Sequence, residues 1–183
     1  MDEANIFLLM NLLHARGSSG DYDEPIEGIT RLTKLLFLLK EESGVINQFS
    51  FTPYKMGPFS SEIYKVIEFM KTYPEPTPEG SLLNVREKRA NNGIDPEALK
   101  YLDDAASDAD DPKDIRFNSS VFELSETGKK VAEKLWSSLP EKDRDAIDTI
   151  KSKYAGLTLK DLLRYVYNQY PDMTTRSEIK HLL

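Results

Sequence analysis

The sequence predicts a mostly helical α+β fold. Apolar residues recur at offsets 0, 3, 4 and 7 in several separate segments, which is the spacing of one face of an α-helix. Two short segments instead alternate apolar and polar residues, which is typical of half-buried strands. Glycine and proline separate these segments, so we expect about six or seven helices and three short strands. A parallel sheet would contradict this prediction.

The first predicted helix covers residues 5–14, and its apolar residues extend beyond one face, so we expect it to be buried on most sides. Thr30 is the expected N-cap of a second helix that ends near Gly44. Its inward stripe repeats the same spacing and comprises Leu32, Leu35, Leu36 and Leu39, while Arg31, Lys34 and Lys40 lie off this stripe.

A short strand and a third helix are expected next. Phe49 and Phe51 alternate with polar residues, and Pro53 lacks a backbone donor, so this strand is short or lies at a sheet edge. The dipeptide Gly57-Pro58 is expected to form the turn into a helix with one apolar and one polar face. Prolines from residue 74 onward end that helix, since proline cannot continue it.

Residues 79–116 are predicted to form an acidic, mobile insertion. The segment 103–114 contains six aspartates and one lysine. It lacks the glycine and the terminal glutamate of a calcium-binding loop, so we interpret it as a solvated loop and not as a metal site. Residues 117–124 have a strand pattern, and they are expected to pair with residues 82–85 in a hairpin that encloses the insertion.

Further helices are predicted after this strand. Ser125 is the expected N-cap of the first, and Gly128 in its first turn indicates a close backbone approach. Pro140 suits the first turn of the next helix. Thr158 and Asp161 have capping-box spacing at the start of another. The expected core comprises Leu9, Leu35, Leu36, Leu39, Phe51, Ile63, Ile67, Leu135, Leu162 and Val166.

Length and composition limit the class of protein. A chain of 183 residues favours a single domain, here residues 1–183 with a helical half (1–78), the insertion (79–116) and a second half of strand and helices (117–183). The absence of cysteine excludes disulfides, thiolate metal sites and a cysteine nucleophile. The acidic start and the lack of a long apolar run predict a cytoplasmic protein without a signal peptide or a membrane segment.

The motifs that mark enzymes are absent. The sequence contains no glycine-rich phosphate loop and no H-E-x-x-H motif. Its two histidines, His14 and His181, stand at opposite ends of the chain, and we interpret each as a helix-terminus residue in preference to a ligand or base. We therefore expect no enzymatic activity, no cofactor and no metal.

A basic helical surface is the remaining candidate for function. The chain has a net charge of −7, but residues 30–71 carry six basic and four acidic residues. The start of the third helix has the position at which helix-turn-helix proteins contact bases and phosphates. The alternative is that this surface is the ordinary solvated face of an amphipathic helix. The candidate DNA-binding residues are Arg31, Lys34, Lys55, Ser60, Ser61, Tyr64 and Lys65.

The chain also resembles a known family. The pattern R-L-x-K-L-L-F-L-L at residues 31–39, the aromatic strand, and Y-K-M-G-P-F-S at residues 54–60 are similar to the SocA-like antitoxin (Panacea) family and to YwgA-like bacterial and archaeal proteins. The segments 124–128 and 153–163 resemble the second half of that pattern. The resemblance implies a winged-helix-like domain with additional C-terminal helices. It also implies either DNA-binding regulation or neutralisation of a toxin.

Two hypotheses follow. The first is a transcriptional regulator of winged-helix type that contacts double-stranded DNA through the helix after Gly57-Pro58, and it predicts that Lys65→Glu weakens binding to all sequences. The second is an antitoxin-like module that binds and neutralises a protein partner, with the acidic insertion facing a basic surface of that partner. Overall acidity favours the second hypothesis, whereas the helix-turn-helix-like stretch favours the first. A homodimer is compatible with both.

Overall fold

The computed structural model describes residues 3–73, 80–87 and 120–183. Six α-helices and five short strands lie in these ranges, and both sheets are antiparallel, so the prediction of a mostly helical α+β fold is confirmed. The expectations for the acidic insertion fall largely outside the described residues. None of the helices in these three ranges is long and apolar enough to cross a membrane.

The helices are α1 (Glu3–His14), α2 (Ile29–Leu38), α3 (Ser61–Thr72), α4 (Glu126–Ser138), α5 (Glu141–Tyr154) and α6 (Leu159–Gln169). The strands are β1 (Ile26–Glu27), β2 (Thr52–Tyr54), β3 (Gly57–Phe59), β4 (Leu83–Glu87) and β5 (Ser120–Leu124). A π-helical turn (Leu39–Ser43) extends α2, and 3₁₀ turns cover Pro171–Thr174 and Lys180–Leu182.

The larger sheet has the strand order β1-β5-β4. β4 and β5 pair with Leu83 opposite Leu124 and Val85 opposite Phe122, so the predicted hairpin is confirmed. β1 pairs with the other edge of β5, and Ile26 lies opposite Phe122. This two-residue strand was not predicted, because a segment so short carries no recognisable alternation.

The second sheet is a hairpin of β2 and β3, and here the predicted turn was wrong. Lys55 and Met56 form the turn, whereas Gly57 and Pro58 belong to β3. Pro53 and Pro58 lie opposite each other. Neither has a backbone N–H to donate, and this is tolerated because the hairpin has only two strands, so no third strand needs a hydrogen bond from either position. Gly57 has a φ of 85°, and a Cβ there would lie 3.0 Å from the Tyr167 ring, so this position requires glycine.

The beginning of α2 also differs from expectation. Its N-cap is Gly28, with a φ of 83°, and the predicted cap Thr30 lies inside the helix and is buried. At the other end, the π-helical turn closes at Gly44 in the left-handed conformation, as expected for a C-terminal glycine. Lys34 was expected outside the apolar stripe, but its side chain is buried. Both faces of α2 are therefore covered by the rest of the fold.

Both halves of the chain contribute to one hydrophobic core. Eight of the ten predicted core residues are buried, whereas Phe51 and Leu135 are partly exposed at its edge. Ser125 caps α4 by accepting a hydrogen bond from the Gly128 amide, as predicted. A Cβ at Gly128 would approach the Leu82 carbonyl oxygen to 2.0 Å, which confirms the predicted close approach between α4 and the segment preceding β4.

Candidate functional site

The structure separates the predicted DNA-binding residues into internal and external groups. Arg31 belongs to the internal group: its guanidinium donates to the carbonyl oxygens of Ala155 (2.8 Å) and Leu157 (2.6 Å) just beyond the end of α5. Burial lowers the pKa of Arg31, and nearby Glu27 partly offsets this effect. The side chain thus satisfies carbonyls left without partners at a helix end, and these contacts occupy one end of its guanidinium.

Lys34 is fully internal. Its Nζ donates to the Pro58 carbonyl oxygen at 2.9 Å, and burial lowers the pKa of its ammonium to about 7. No carboxylate of the described residues forms an ion pair with it. The side chain joins α2 to the β2–β3 hairpin, and it is out of reach of a macromolecular surface.

Lys55 and Ser60 flank the hairpin. The Lys55 ammonium lies 3.6 Å from the Glu178 carboxylate, and its backbone oxygen accepts a hydrogen bond from the Glu178 amide. Ser60 is the N-cap residue of α3, but its side chain is buried and makes no capping bond. Its Oγ has no hydrogen-bond partner among the described residues. Neither residue presents the free donor that the sequence interpretation assigned to it.

Ser61, Tyr64 and Lys65 lie on the outer side of α3. Ser61 and Lys65 are exposed, whereas Tyr64 is half-buried with its ring centroid 5.8 Å from that of Phe59. The acidic side chains of this helix face outward as well. Glu62 and Glu68 are the acidic residues of α3. Glu62 accepts a hydrogen bond from the Ser50 amide, and Glu68 forms an ion pair with Lys71 at 3.1 Å. The helix therefore carries two acidic and two basic residues and has no net charge of its own.

A different cluster stands out at the π-helical turn. The Glu42 carboxylate accepts hydrogen bonds from three tyrosine hydroxyls: Tyr154 at 2.7 Å, Tyr165 at 2.9 Å and Tyr170 at 3.1 Å. The three tyrosines come from the end of α5, from α6 and from the residue after α6. π-helical turns are rare and frequently occur at functional sites. Here the turn directs Glu42 to the place where α5 and α6 meet.

The tyrosines are held in a strongly perturbed environment. Burial, followed by hydrogen bonding and charge from neighbouring groups including Glu42, raises the pKa of Tyr154. The pKa of Tyr170 is raised by burial and by the Glu42 charge. For Tyr165, the Tyr154 hydroxyl lowers the pKa, but burial and Glu42 raise it more. All three hydroxyls therefore keep their protons and remain donors to the carboxylate at neutral pH.

An open hollow of about 300 Å³ adjoins this cluster. It lies between the π-helical turn, which contributes Glu42 and Ser43, and the outer side of α5. The α5 lining consists of Lys142, Asp145, Ala146, Thr149 and Ile150. The hollow thus combines the apolar side chains of Ala146 and Ile150 with carboxylate, ammonium and hydroxyl groups, a composition that suits binding of a small polar group on an apolar stem.

Sequence reasoning missed the Glu42 cluster. Glu42 is separated from its three partners by 112 to 128 positions in the chain. Nothing local marks it, because the residue stands among exposed acidic neighbours at the end of a helix. The one available signal was the set of tyrosines near the end of the chain, and their spacing does not identify a common partner.

His14 lies at the end of α1, as expected, but it has a partner. Its Nδ1 is 2.9 Å from the Asp23 carboxylate, and its ring stacks on Tyr22 with a centroid separation of 5.1 Å. Asp23 adopts a φ of 59°, which is unusual for a residue other than glycine. Its amide donates to the His14 carbonyl oxygen, so the loop folds back on the helix end. The described ranges contain no group of three or more residues able to hold a metal ion.

Comparisons of the chain with protein-family models, with curated proteins and with solved structures found no match.

Proposed function

We propose that this protein is an antitoxin-like interaction module of winged-helix type, which binds and neutralises a protein partner without contacting DNA. One observation carries the proposal: three of the four cations predicted to form a DNA-binding face are engaged by other groups of the protein, whereas the fourth, Lys65, is exposed. Arg31 and Lys34 donate to backbone carbonyls, and Lys55 lies beside Glu178. The sequence resemblance to SocA-like antitoxins and YwgA-like proteins agrees with a protein partner.

The order of the elements supports the winged-helix part of the proposal. A winged helix has a helix, a short strand, two further helices and an antiparallel hairpin whose second strand pairs with the first short strand. In this chain α1, β1, α2 and α3 precede β4 and β5, and β5 lies between β1 and β4. The β2–β3 hairpin is an addition between α2 and α3, and the helices α4 to α6 follow the last strand.

Charge supports a protein partner over DNA for this domain. DNA binding depends on lysines and arginines that can neutralise several phosphates. On α3 the basic residues Lys65 and Lys71 are balanced by Glu62 and Glu68, and the chain as a whole has a net charge of −7. A surface of this kind repels a polyanion at long range and attracts a basic protein.

The partner that fits best is a protein with a basic surface. Residues 103–114 contain six aspartates and one lysine, and this segment lies in the connection between β4 and β5, where winged-helix proteins carry the wing. Electrostatic attraction of this kind raises the association rate and orients the encounter. The acidic segment would supply much of the negative charge that the partner meets.

The test is capture and reconstitution with the full-length chain. Tagged protein is used to recover partners from its host cell, each partner is purified, and its affinity is measured for the intact chain and for a chain that lacks residues 103–114. We expect a basic partner whose activity is inhibited by the intact chain, and whose affinity falls strongly on the deletion while the circular dichroism spectrum is unchanged. A chain in which those twelve positions hold serine and glycine is the matched control for length. Equal affinity of all three chains for every partner would contradict the role of the acidic segment.

DNA binding is the second candidate, and the exposure of Ser61 and Lys65 at the start of α3 favours it. A recognition helix uses these positions for phosphate and base contacts. On this hypothesis Lys65→Glu weakens binding to all duplexes, whereas Lys142→Glu, on the exposed side of α5, leaves it unchanged. Equal effects of the two substitutions would indicate only a loss of general positive charge.

A further inference from the structure

We propose that the hollow between the π-helical turn and α5 binds a guanidinium or ammonium group carried on an apolar stem, with Glu42 as the carboxylate that receives it. This inference is independent of the proposed function, since it concerns a site on the opposite end of α2 from the hairpin. The hollow, its charge and the arrangement of the three tyrosines each support it.

The hydrogen bonds leave one acceptor position open on Glu42. A carboxylate offers about four lone-pair positions, two on each oxygen. Oε1 accepts from both Tyr165 and Tyr170, whereas Oε2 accepts from Tyr154 alone. The remaining position on Oε2 receives no hydrogen bond from the described residues. The tyrosines fix the orientation of the carboxylate, which lowers the ordering cost when a donor from outside arrives.

The charges that face the hollow favour a cation. Glu42 and Asp145 contribute two negative charges, and Lys142 contributes one positive charge. No lysine or arginine of the described residues forms an ion pair with Glu42 or Asp145. Another exposed lysine of α5, Lys153, lies with its Nζ 4.6 Å from the Tyr154 ring centroid and 5.8 Å from that of Tyr165. The negative charge of Glu42 thus lacks a direct counterion within the described part of the chain.

The remaining lining residues favour a ligand whose charged group is carried on an apolar stem. Ala146 and Ile150 provide apolar contact, and Thr149 provides a hydroxyl at the rim. A volume of about 300 Å³ accommodates a group of the size of a lysine or arginine side chain. A guanidinium suits the site especially well, because its planar donors can reach Oε2 and a neighbouring acceptor together. A basic side chain of another protein and a free small cation share this chemistry.

The experiment is a titration of the isotopically labelled full-length chain, followed by the backbone amide signals of Ser43, Ala146 and Thr149. The probe is n-butylguanidinium chloride, and the matched uncharged probe is n-butylurea, which has the same size. We expect saturable shifts of these three signals with the cation and at least about tenfold weaker binding of the urea, because a charge-assisted hydrogen bond is lost. Equal binding of both probes, or no shift with the cation, would overturn the proposal.

Variants assign the effect to Glu42. Glu42→Gln is expected to weaken binding of the cation at least about tenfold, whereas Glu41→Gln, in the same turn and also exposed, leaves it unchanged. Because Glu42→Gln also alters the tyrosine contacts, Ala146→Met provides a second test that fills the hollow without touching them, and it should abolish the shifts. Unchanged affinity in both Glu42→Gln and Ala146→Met would refute the site.

Two further probes distinguish the source of the cation. N-acetyl-arginine methylamide represents a basic side chain of a protein, and agmatine represents a free small cation. Tighter binding of the first supports a protein ligand, and tighter binding of the second supports a small-molecule ligand. Failure of both probes to shift the three signals would count against the proposal even if n-butylguanidinium bound.

Discussion

Lys34 donates a hydrogen bond of 2.9 Å from its buried Nζ to the carbonyl oxygen of Pro58, and this contact joins α2 to β3. The ammonium has no carboxylate partner among the described residues, so its burial disfavours the charged form. Burial lowers its pKa from an ordinary value of 10.5 to about 7. The stability of the fold is consequently linked to pH through a residue that the sequence had placed on an external face.

Lys34→Met should flatten the dependence of stability on alkaline pH. Between pH 7 and 10 the unfolded chain holds the Lys34 proton and the folded chain does not, so the free energy of unfolding of the wild type rises across this window. Between pH 7 and 9 the rise from this group is on the order of 2 kcal/mol, at no more than 1.36 kcal/mol per pH unit. Urea denaturation at pH 7, 8 and 9 measures it. In the variant, the free energy of unfolding should still rise with pH, but less steeply, because burial also lowers the pKa of Lys151 to about 8.

The control for this experiment is Lys65→Met, which removes an exposed lysine from α3 and should preserve the wild-type slope. A Lys34→Met protein that gains stability with pH as steeply as the wild type would contradict the link between burial and pH. Tyrosine ionisation contributes little up to pH 9, because a tyrosine of the unfolded chain, with an ordinary pKa of about 10, is still largely protonated there.

Gly128→Ala should destabilise the protein although alanine is the better helix former. In an open helix this substitution stabilises by roughly 1 kcal/mol. Here the added Cβ would approach the Leu82 carbonyl oxygen to 2.0 Å, so α4 must move away from the segment before β4. We expect a net loss of about 2 kcal/mol or more in the free energy of unfolding, measured in urea. Glu133→Ala, on the exposed side of the same helix, should change stability little, and equal stability of both variants would contradict the close approach.

Glu24→Gln should remove part of the acid sensitivity of the fold. Ser18 and Ser19 each donate to the Glu24 carboxylate from the backbone amide and from the hydroxyl. Burial raises the pKa of Glu24, but these hydrogen bonds outweigh it and lower the pKa to about 2. The stabilisation is therefore complete above about pH 4.5 and is lost as pH falls toward 2.

Thermal unfolding between pH 5 and pH 2 measures this contribution. We expect the melting temperature of the wild type to fall more steeply over this range than that of Glu24→Gln. Asp21→Asn, in the same exposed loop, serves as the comparison and should follow the wild type. Parallel curves for the wild type and Glu24→Gln would show that the four hydrogen bonds contribute nothing to stability.

Arg31→Met should destabilise the contact between α2 and the end of α5. The guanidinium donates to the carbonyl oxygens of Ala155 and Leu157, and methionine leaves both oxygens without that donor. Hydrogen bonds from a charged donor are each worth about 1.5–3 kcal/mol, so we expect a loss of roughly 3 kcal/mol or more. Denaturation in urea measures the loss, and Arg164→Met, at an exposed position on α6, is the control. If Arg31 served an external ligand instead, both variants would be about equally stable.

The helices could be predicted because their signals are local. The apolar spacing placed α1, α2 and α3, Ser125 marked the start of α4, and Gly128 marked a close approach. The pairing of β4 with β5 was also predictable, since alternating residues flank a long connection. The helix signals depend on residues within a few positions of one another, whereas the pairing of Leu83 with Leu124 was indicated by strand patterns at the two ends of the connection.

The functional surfaces depend on contacts between distant residues and could not be predicted in the same way. A lysine beside an apolar stripe is normally exposed, and only the β2–β3 hairpin that covers α2 buries Lys34. Gly57-Pro58 is a common turn signal, but a positive φ next to Tyr167 places this glycine in a strand. Glu42 meets three tyrosines that lie more than a hundred positions away. Tertiary packing, and not local preference, determined all three.

Fluorescence anisotropy of the full-length chain on labelled duplex DNA is the most direct test of the central claim, that Arg31, Lys34 and Lys55 serve the fold and do not bind DNA. The duplexes are a random sequence and the region upstream of the chain's own coding sequence, each titrated at low and at moderate salt. The account predicts no saturable binding to either duplex at low salt. Binding that prefers one duplex, weakens steeply with added salt and is lost in Lys65→Glu would contradict it and establish a DNA-binding regulator.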